Sequence, residues 1–264
     1  MTPRTRDTEP EHVALRARSV PSIRFLGVRI DCLRLDGLLS YAVAPALTRG
    51  QSTILYVNVH CMNLRSRDAA YARILEEADV VYCDGTGVRL GAYLAGLPIP
   101  ERMTGADWID PLCRRMAAHG LSLFLLGGAS GSAAEAAAVL QRRHPALRIA
   151  GTAQGYDVSK EVIATINRAR PDILLVGMGT PRQEKWIDRH RPELEVPVVW
   201  AVGALFDFVN GRIRRGPRWM TEHGFEWLCR LAVEPGKLWR RYLIGNPQFL
   251  WRVVKEYWLR PRRH

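Results

Sequence analysis

From residue 120 onward, runs that are apolar almost throughout alternate with longer runs that are apolar on one face only. LSLFLLG, DILLVGMG and VPVVWAVG are of the first kind, with LRIAG a shorter example; AAEAAAVLQRR, SKEVIATINRA and PRQEKWIDRH lie between them. A strand that is apolar throughout has no face to give to water, so its sheet must be covered on both sides. Strands alternating with helices also imply parallel pairing, because each helix carries the chain back to the edge it left. The expected fold is α/β: a Rossmann-like, mostly parallel sheet with helices on both faces, over about residues 21–211.

The earlier part of the chain fits the same domain. FLGVRID and TILYVNVH read as strands, rich in β-branched residues, and a helix is expected across Leu64–Glu77. The short strand DVVYC runs into the turn DGTGV, and Thr104 has the chemistry of an N-cap for the helix that follows. The first 20 residues contain no apolar core of the signal-peptide kind and read as a disordered tail.

Charge separates a third region. The chain carries a net +12, of which residues 212–264 hold 13 Lys and Arg against 4 Asp and Glu, and residues 1–211 hold 25 against 22. The excess belongs to a basic, Trp-rich, helical appendage over residues 212–264, so the partner it attracts should meet that appendage. No apolar run is long enough to span a bilayer. The five cysteines are scattered without CxxC or zinc-like spacing, which fits a reducing cytosol and gives no metal site. No cofactor is expected, and nothing in the sequence sets an oligomeric state.

Ligands of parallel sheets bind where strand C-termini feed into loops. In LLVGMGTPRQEKW, Gly177 and Gly179 would let backbone approach a ligand, the following helix start offers N–H groups to a phosphate, and Gln183 and Glu184 add polar groups. Pro181 suits the first turn of that helix. Asp84 directly follows a strand, where a carboxylate can act as general base toward a hydroxyl. Arg102 could supply positive charge for a diphosphate, and Asn58 is a polar strand end. Each has a plainer reading: a tight turn, a surface ion pair, a backbone cap.

In order, however, NVH, DGTGV, ERMTGAD, FLLGG, GTAQGY, VGMGTPRQE, GALFDFVNG and EWLCRL with EPGKLWRRYL resemble the WecG/TagA/CpsF family, glycosyltransferase family 26, over about residues 50–250. The resemblance implies an inverting, metal-independent, UDP-sugar-dependent hexosyltransferase that extends a polyprenyl-diphosphate-linked saccharide in surface polysaccharide synthesis. It implies Asp84 as the base, with Asn58, Arg102 and Gln183 at donor- and acceptor-contacting positions and Tyr156 and Asp207 on the nucleotide. Tyr56 stands where many relatives have threonine, which bears on the sugar contacts.

An oxidoreductase on the same fold would need GxGxxG followed by a ribose-binding acid, which is lacking. Nucleic-acid binding would use the charge, but no recognised module is present. A noncatalytic membrane-tethered scaffold would explain the tail but not the polar loops. Arg214, Arg215 and Arg218 are candidates to reach the site or the acceptor from the appendage. Plotted at about 100° per residue, Phe249 to Trp258 place their apolar side chains on one arc that includes Trp251 and Trp258. That face, with the basic end LRPRRH, suits an anionic membrane surface and a peripheral location on the inner face of the cell membrane.

Overall fold

The computed structural model describes residues 20–155, 160–213, 216, 220, 226–233 and 235–259. Its centre is a six-stranded sheet built from β3 (Ser52–Val57), β4 (Val80–Cys83), β5 (Ser122–Gly127), β6 (Arg148–Ala153), β7 (Ile173–Gly177) and β8 (Val198–Ala201). The spatial order is β4-β3-β8-β7-β5-β6, and every neighbouring pair is parallel. Each residue of β5 and β7 is buried. Because side chains alternate between faces, the sheet there is covered on both sides, as the unbroken apolar runs require.

Around it pack α1 (Leu35–Thr48), α2 (Val59–Arg65), α3 (Ala69–Glu77), α4 (Thr86–Leu94), α5 (Gly105–Ala118), α6 (Ser132–Arg143), α7 (Lys160–Ala169), α8 (Arg182–His190) and α9 (Leu205–Val209). The stacked pair Trp108 and Trp200, with ring centroids 4.1 Å apart, ties α5 to β8 in the middle of the core. As expected, Thr104 opens α5. The Asp107 carboxylate accepts from its N–H at 3.0 Å and its hydroxyl at 2.7 Å.

Two readings of the N-terminal half need correction. FLGVRID is not one strand: β1 (Ser22–Phe25) and β2 (Val28–Asp31) form an antiparallel hairpin. Leu26 and Gly27 turn it, with φ of 47° and 76°. The hairpin shields the sheet's edge, where Asp31 accepts from the outward Val81 N–H of β4 at 2.7 Å. The helix expected across Leu64–Glu77 is two helices, α2 and α3, because Asp68 caps a fresh start by accepting from Tyr71 N–H at 3.0 Å.

Beyond the sheet lie α10 (Glu226–Val233), α11 (Pro235–Trp239) and α12 (Gly245–Val254), with π-helical turns at Arg240–Ile244 and Lys255–Leu259. No described helix is long and apolar enough to cross a membrane. The single apolar arc expected for Phe249 to Trp258 is divided. Phe249 and Val253 are buried, and Phe249 meets Phe25 edge-on at 6.0 Å. Tyr257 stacks on Phe25 at 5.8 Å, and its hydroxyl accepts from Leu26 N–H at 3.2 Å. Gly91 of α4 makes room, since a Cβ there would lie 2.7 Å from Phe249 Cζ. The adjacent stripe of Leu250, Trp251, Val254 and Trp258 stays exposed.

Candidate active site

The connection leaving β3 runs outward to β4 at the sheet's edge, whereas the one leaving β4 runs back across the sheet to β5. The C-terminal ends of β3 and β4 therefore flank a topological switch point, where such sheets bind ligands. Asn58 stands there as the N-cap of α2. Its Oδ1 accepts from His60 N–H at 3.1 Å and Cys61 N–H at 3.2 Å. Fixed in this way, it points Nδ2 at Asp84 Oδ2, 3.2 Å away.

Asp84 leaves β4 with its own N–H donating to Val57 O at 2.9 Å. Gly85, at φ 90°, turns the chain into α4, leaving the carboxylate near that helix's positive end. Met103 N–H donates to Cys83 O at 3.2 Å, which draws the preceding Arg102 to the same strand end. Arg102 Nη1 lies 3.6 Å from Asp107 Oδ2. The buried Cys83 thiol registers both neighbours: burial raises its pKa first, Asp84 raises it further, and Arg102 lowers it. The strand-end Asn58, Asp84 and Arg102 are thus gathered in one place.

The β7–α8 turn has a different character. Gly179 adopts φ 79° with open space where a Cβ would be, so it can bring backbone close to a ligand. Gly177 is instead a packing glycine, because a Cβ there would stand 2.8 Å from Phe206 Cε2. The Thr180–Pro181 peptide is cis, and Pro181 occupies the N-cap just outside α8 rather than its first turn. Gln183 and Glu184 are fully buried. Gln183 Oε1 accepts from Gly203 N–H at 2.9 Å, while Nε2 donates to Tyr56 Oη at 3.2 Å and Glu184 Oε1 at 2.9 Å. Tyr56 Oη also lies 3.2 Å from Thr180 Oγ1. One amide thus ties together the end of β3 and the loops that follow β7 and β8.

Asp207 sits on the other flank. Its Oδ1 accepts from Ser132 Oγ at 2.6 Å, which docks α9 on the start of α6. Arg212 reaches the same corner through Glu135 at 2.7 Å. Tyr156, Arg214, Arg215 and Arg218 lie outside the described residues. Trp251 and Trp258 are exposed on the appendage and are not among the side chains that pack on the domain. Among the described residues, no group of three or more His, Cys, Asp or Glu is arranged to hold a metal ion.

Three site residues were not singled out by sequence. Thr180 and Gly203 matter through contacts distant in the chain. His60 carried a signal, its place in NVH at a strand end. Burial first, and the charge of Arg241 second, hold its imidazole down at about 4. Asn63 of α2 donates its Nδ2 to Gly245 O at 2.7 Å, which docks the end of the appendage's Arg240–Ile244 turn on α2.

Fold and geometry together define an α/β protein whose candidate site lies at the C-terminal edge of a parallel sheet, with a carboxylate held by a strand-end amide. The chain belongs to the WecG/TagA/CpsF glycosyltransferase family, whose profile matches residues 23–264, and it is a glycosyltransferase. It is 31% identical over 186 residues to the N-acetylglucosaminyldiphosphoundecaprenol N-acetyl-beta-D-mannosaminyltransferase of Bacillus spizizenii, covering 70% of this chain and 72% of that one. It is 28% identical over 205 residues to the enzyme of the same name from Staphylococcus aureus (strain NCTC 8325 / PS 47), covering 76% and 79%.

Proposed function

We propose that this glycosyltransferase moves a sugar from a UDP-sugar to a polyprenyl-diphosphate-linked saccharide, with inversion and without a metal ion. The Asn58–Asp84 contact at the switch point carries the reading, because it holds a carboxylate in one orientation at the strand end to which Met103 also ties the Arg102 segment. In the step proposed, the acceptor hydroxyl oxygen bonds to the anomeric carbon as the carbon–oxygen bond to UDP breaks on the opposite face. Asp84 takes the hydroxyl proton, and the electron pair leaves with the diphosphate. Arg102 and backbone N–H groups near Gly179 offset the charge growing there. Asp207 and Tyr156 are assigned to the nucleotide side. Gln183 and Glu184 serve from beneath by fixing the loops.

The domain division proposed is a catalytic unit over residues 21–211, preceded by a tail, with residues 212–264 as a membrane-associating appendage. Its exposed Leu250, Trp251, Val254 and Trp258 beside basic residues suit the headgroup region of an anionic bilayer. Arg214, Arg215 and Arg218 would face the acceptor's diphosphate. The enzyme would then sit peripherally on the inner face of the cell membrane, where a lipid-linked sugar presents itself. The relatives' names make N-acetylmannosamine the first sugar to try, offered here as its UDP derivative, and N-acetylglucosaminyl-diphosphoundecaprenol the first acceptor.

The test is a panel of UDP-sugars with that acceptor, run with and without chelator, alongside melting curves with UDP. Transfer in chelator and a UDP-dependent rise in melting temperature support the reading. Abolition of transfer by chelator overturns its metal-free part, and failure with every UDP-sugar overturns the donor class.

A further inference from the structure

Glu184 is a carboxyl group placed where a carboxylate is hard to keep. It is fully buried beneath the β7–α8 turn. Oε1 accepts from Gln183 Nε2 at 2.9 Å and from Thr180 Oγ1 at 2.8 Å. Oε2 is equally buried and meets no hydrogen-bond partner among the described residues. No described Lys or Arg forms an ion pair with it. A buried charge without a counter-charge is strongly disfavoured, and such groups are ordinarily neutralised by a proton. A carboxylic acid suits this site better: its carbonyl oxygen keeps both hydrogen bonds that Oε1 accepts, and its second oxygen carries the proton.

We propose that Glu184 is a positioning residue that works as a neutral carboxylic acid, locking Thr180 and Gln183 so that the end of β3 and the loops after β7 and β8 hold the crevice shape. The groups around it fit that state. Tyr56 of β3, Cys61 of α2 and Tyr71 of α3 are all sensitive to its charge, and each would be burdened by a carboxylate there. Asp84 acts on Tyr56 with the same sign, so an ionised Glu184 would add a second negative charge near the base. Among the described residues, Arg241 acts on this cluster with the opposite sign, through Cys61. Burial is the main reason the carboxyl's pKa is raised, partly opposed by the bonds from Gln183 and Thr180.

The inference rests on the transferase reading for its role and not for its protonation, and the two are measured separately. Folding with a raised carboxyl pKa takes up a proton, so stability is lost as pH rises from the ordinary carboxyl value toward the raised one. Glu184→Gln cannot lose that proton. The melting temperature of Glu184→Gln minus that of wild type should therefore grow steadily from about pH 5 upward. An infrared carbonyl band of a protonated acid should also be present in wild type and absent in the variant. Turnover should separate the variants too: Glu184→Ala should lose about tenfold or more in kcat/KM while Glu184→Gln recovers most of it, since the amide keeps an acceptor for Thr180 and Gln183. If Glu184→Ala does not fold, the melting and infrared comparisons on Glu184→Gln decide alone. A melting difference flat with pH, or no acid band, overturns the proposal; Glu184→Gln as impaired as Glu184→Ala overturns its positioning role.

Discussion

Asn58 Nδ2 lies 3.2 Å from Asp84 Oδ2, while the other end of the same amide caps α2. Cap and orientation can be separated by substitution. Asparagine and aspartate cap helices about equally well, so Asn58→Asp should melt within about 1 kcal/mol of wild type. It replaces the donor facing Asp84 with a second carboxylate, which disfavours a charged base. Turnover near neutrality should fall and the acid limb of the pH–rate curve should move to higher pH. An unchanged limb would mean that Asn58 only caps.

Gly203 and Tyr56 should behave as a coupled pair. A Cβ on Gly203 would lie 2.6 Å from Tyr56 Oη, and the glycine holds φ 59°. Gly203→Ala should cost on the order of 2 kcal/mol through the clash and the backbone. Tyr56→Phe should cost about 1 kcal/mol for the bonds to Thr180 and Gln183. Removing the hydroxyl also removes the clash, so the double variant should be more stable than the two losses added together, by denaturant melts. Simple additivity would refute the coupling.

His60 gives the acid side of the stability curve a defined slope. Its imidazole is held at about 4 in the fold. The unfolded chain therefore binds a proton that the folded chain refuses as pH falls below the usual histidine range. Stability is lost on acidification, by about 2 kcal/mol near pH 5. His60→Asn should flatten melting temperature against pH over that window. A variant curve parallel to wild type would show that His60 is not held neutral.

The two arcs of the last helix should separate cleanly. Phe249→Ala removes a buried ring and should destabilise by about 3 kcal/mol. Trp251→Ser with Trp258→Ser, at exposed positions, should change melting by no more than about 0.5 kcal/mol per site. The Trp double variant should nonetheless weaken sedimentation with anionic liposomes, and salt should weaken wild-type binding. Equal liposome binding by wild type and the Trp variant would remove that stripe as the anchor.

How much of this was legible depends on how local the deciding contact is. The strands β5, β7 and β8 read correctly because burial on both faces writes itself into consecutive residues. The hairpin β1–β2 was misread because a two-residue turn at Leu26–Gly27 hardly interrupts the apolar pattern. Asp84, Asn58 and Arg102 stood out as polar groups at strand ends, yet only the fold brings residues 26 apart within 3.2 Å. Gln183 stood out as a polar group at a helix start, but its partners Tyr56 and Gly203 lie far away in sequence and only the fold shows them. The apolar arc of the last helix was visible, but not that Phe25 and Gly91 would claim half of it.

The most direct measurement is single-turnover transfer by Asp84→Asn from a UDP-sugar to a polyprenyl-diphosphate saccharide, with UDP affinity and circular dichroism measured on the same preparation. The amide keeps an oxygen to accept from Asn58 but cannot take a proton, so transfer should fall by about 1,000-fold or more, within the range a lost general base costs. UDP affinity and helix content should stay as in wild type. Transfer at a rate within a few-fold of wild type, with the fold intact, would contradict Asp84 as the base.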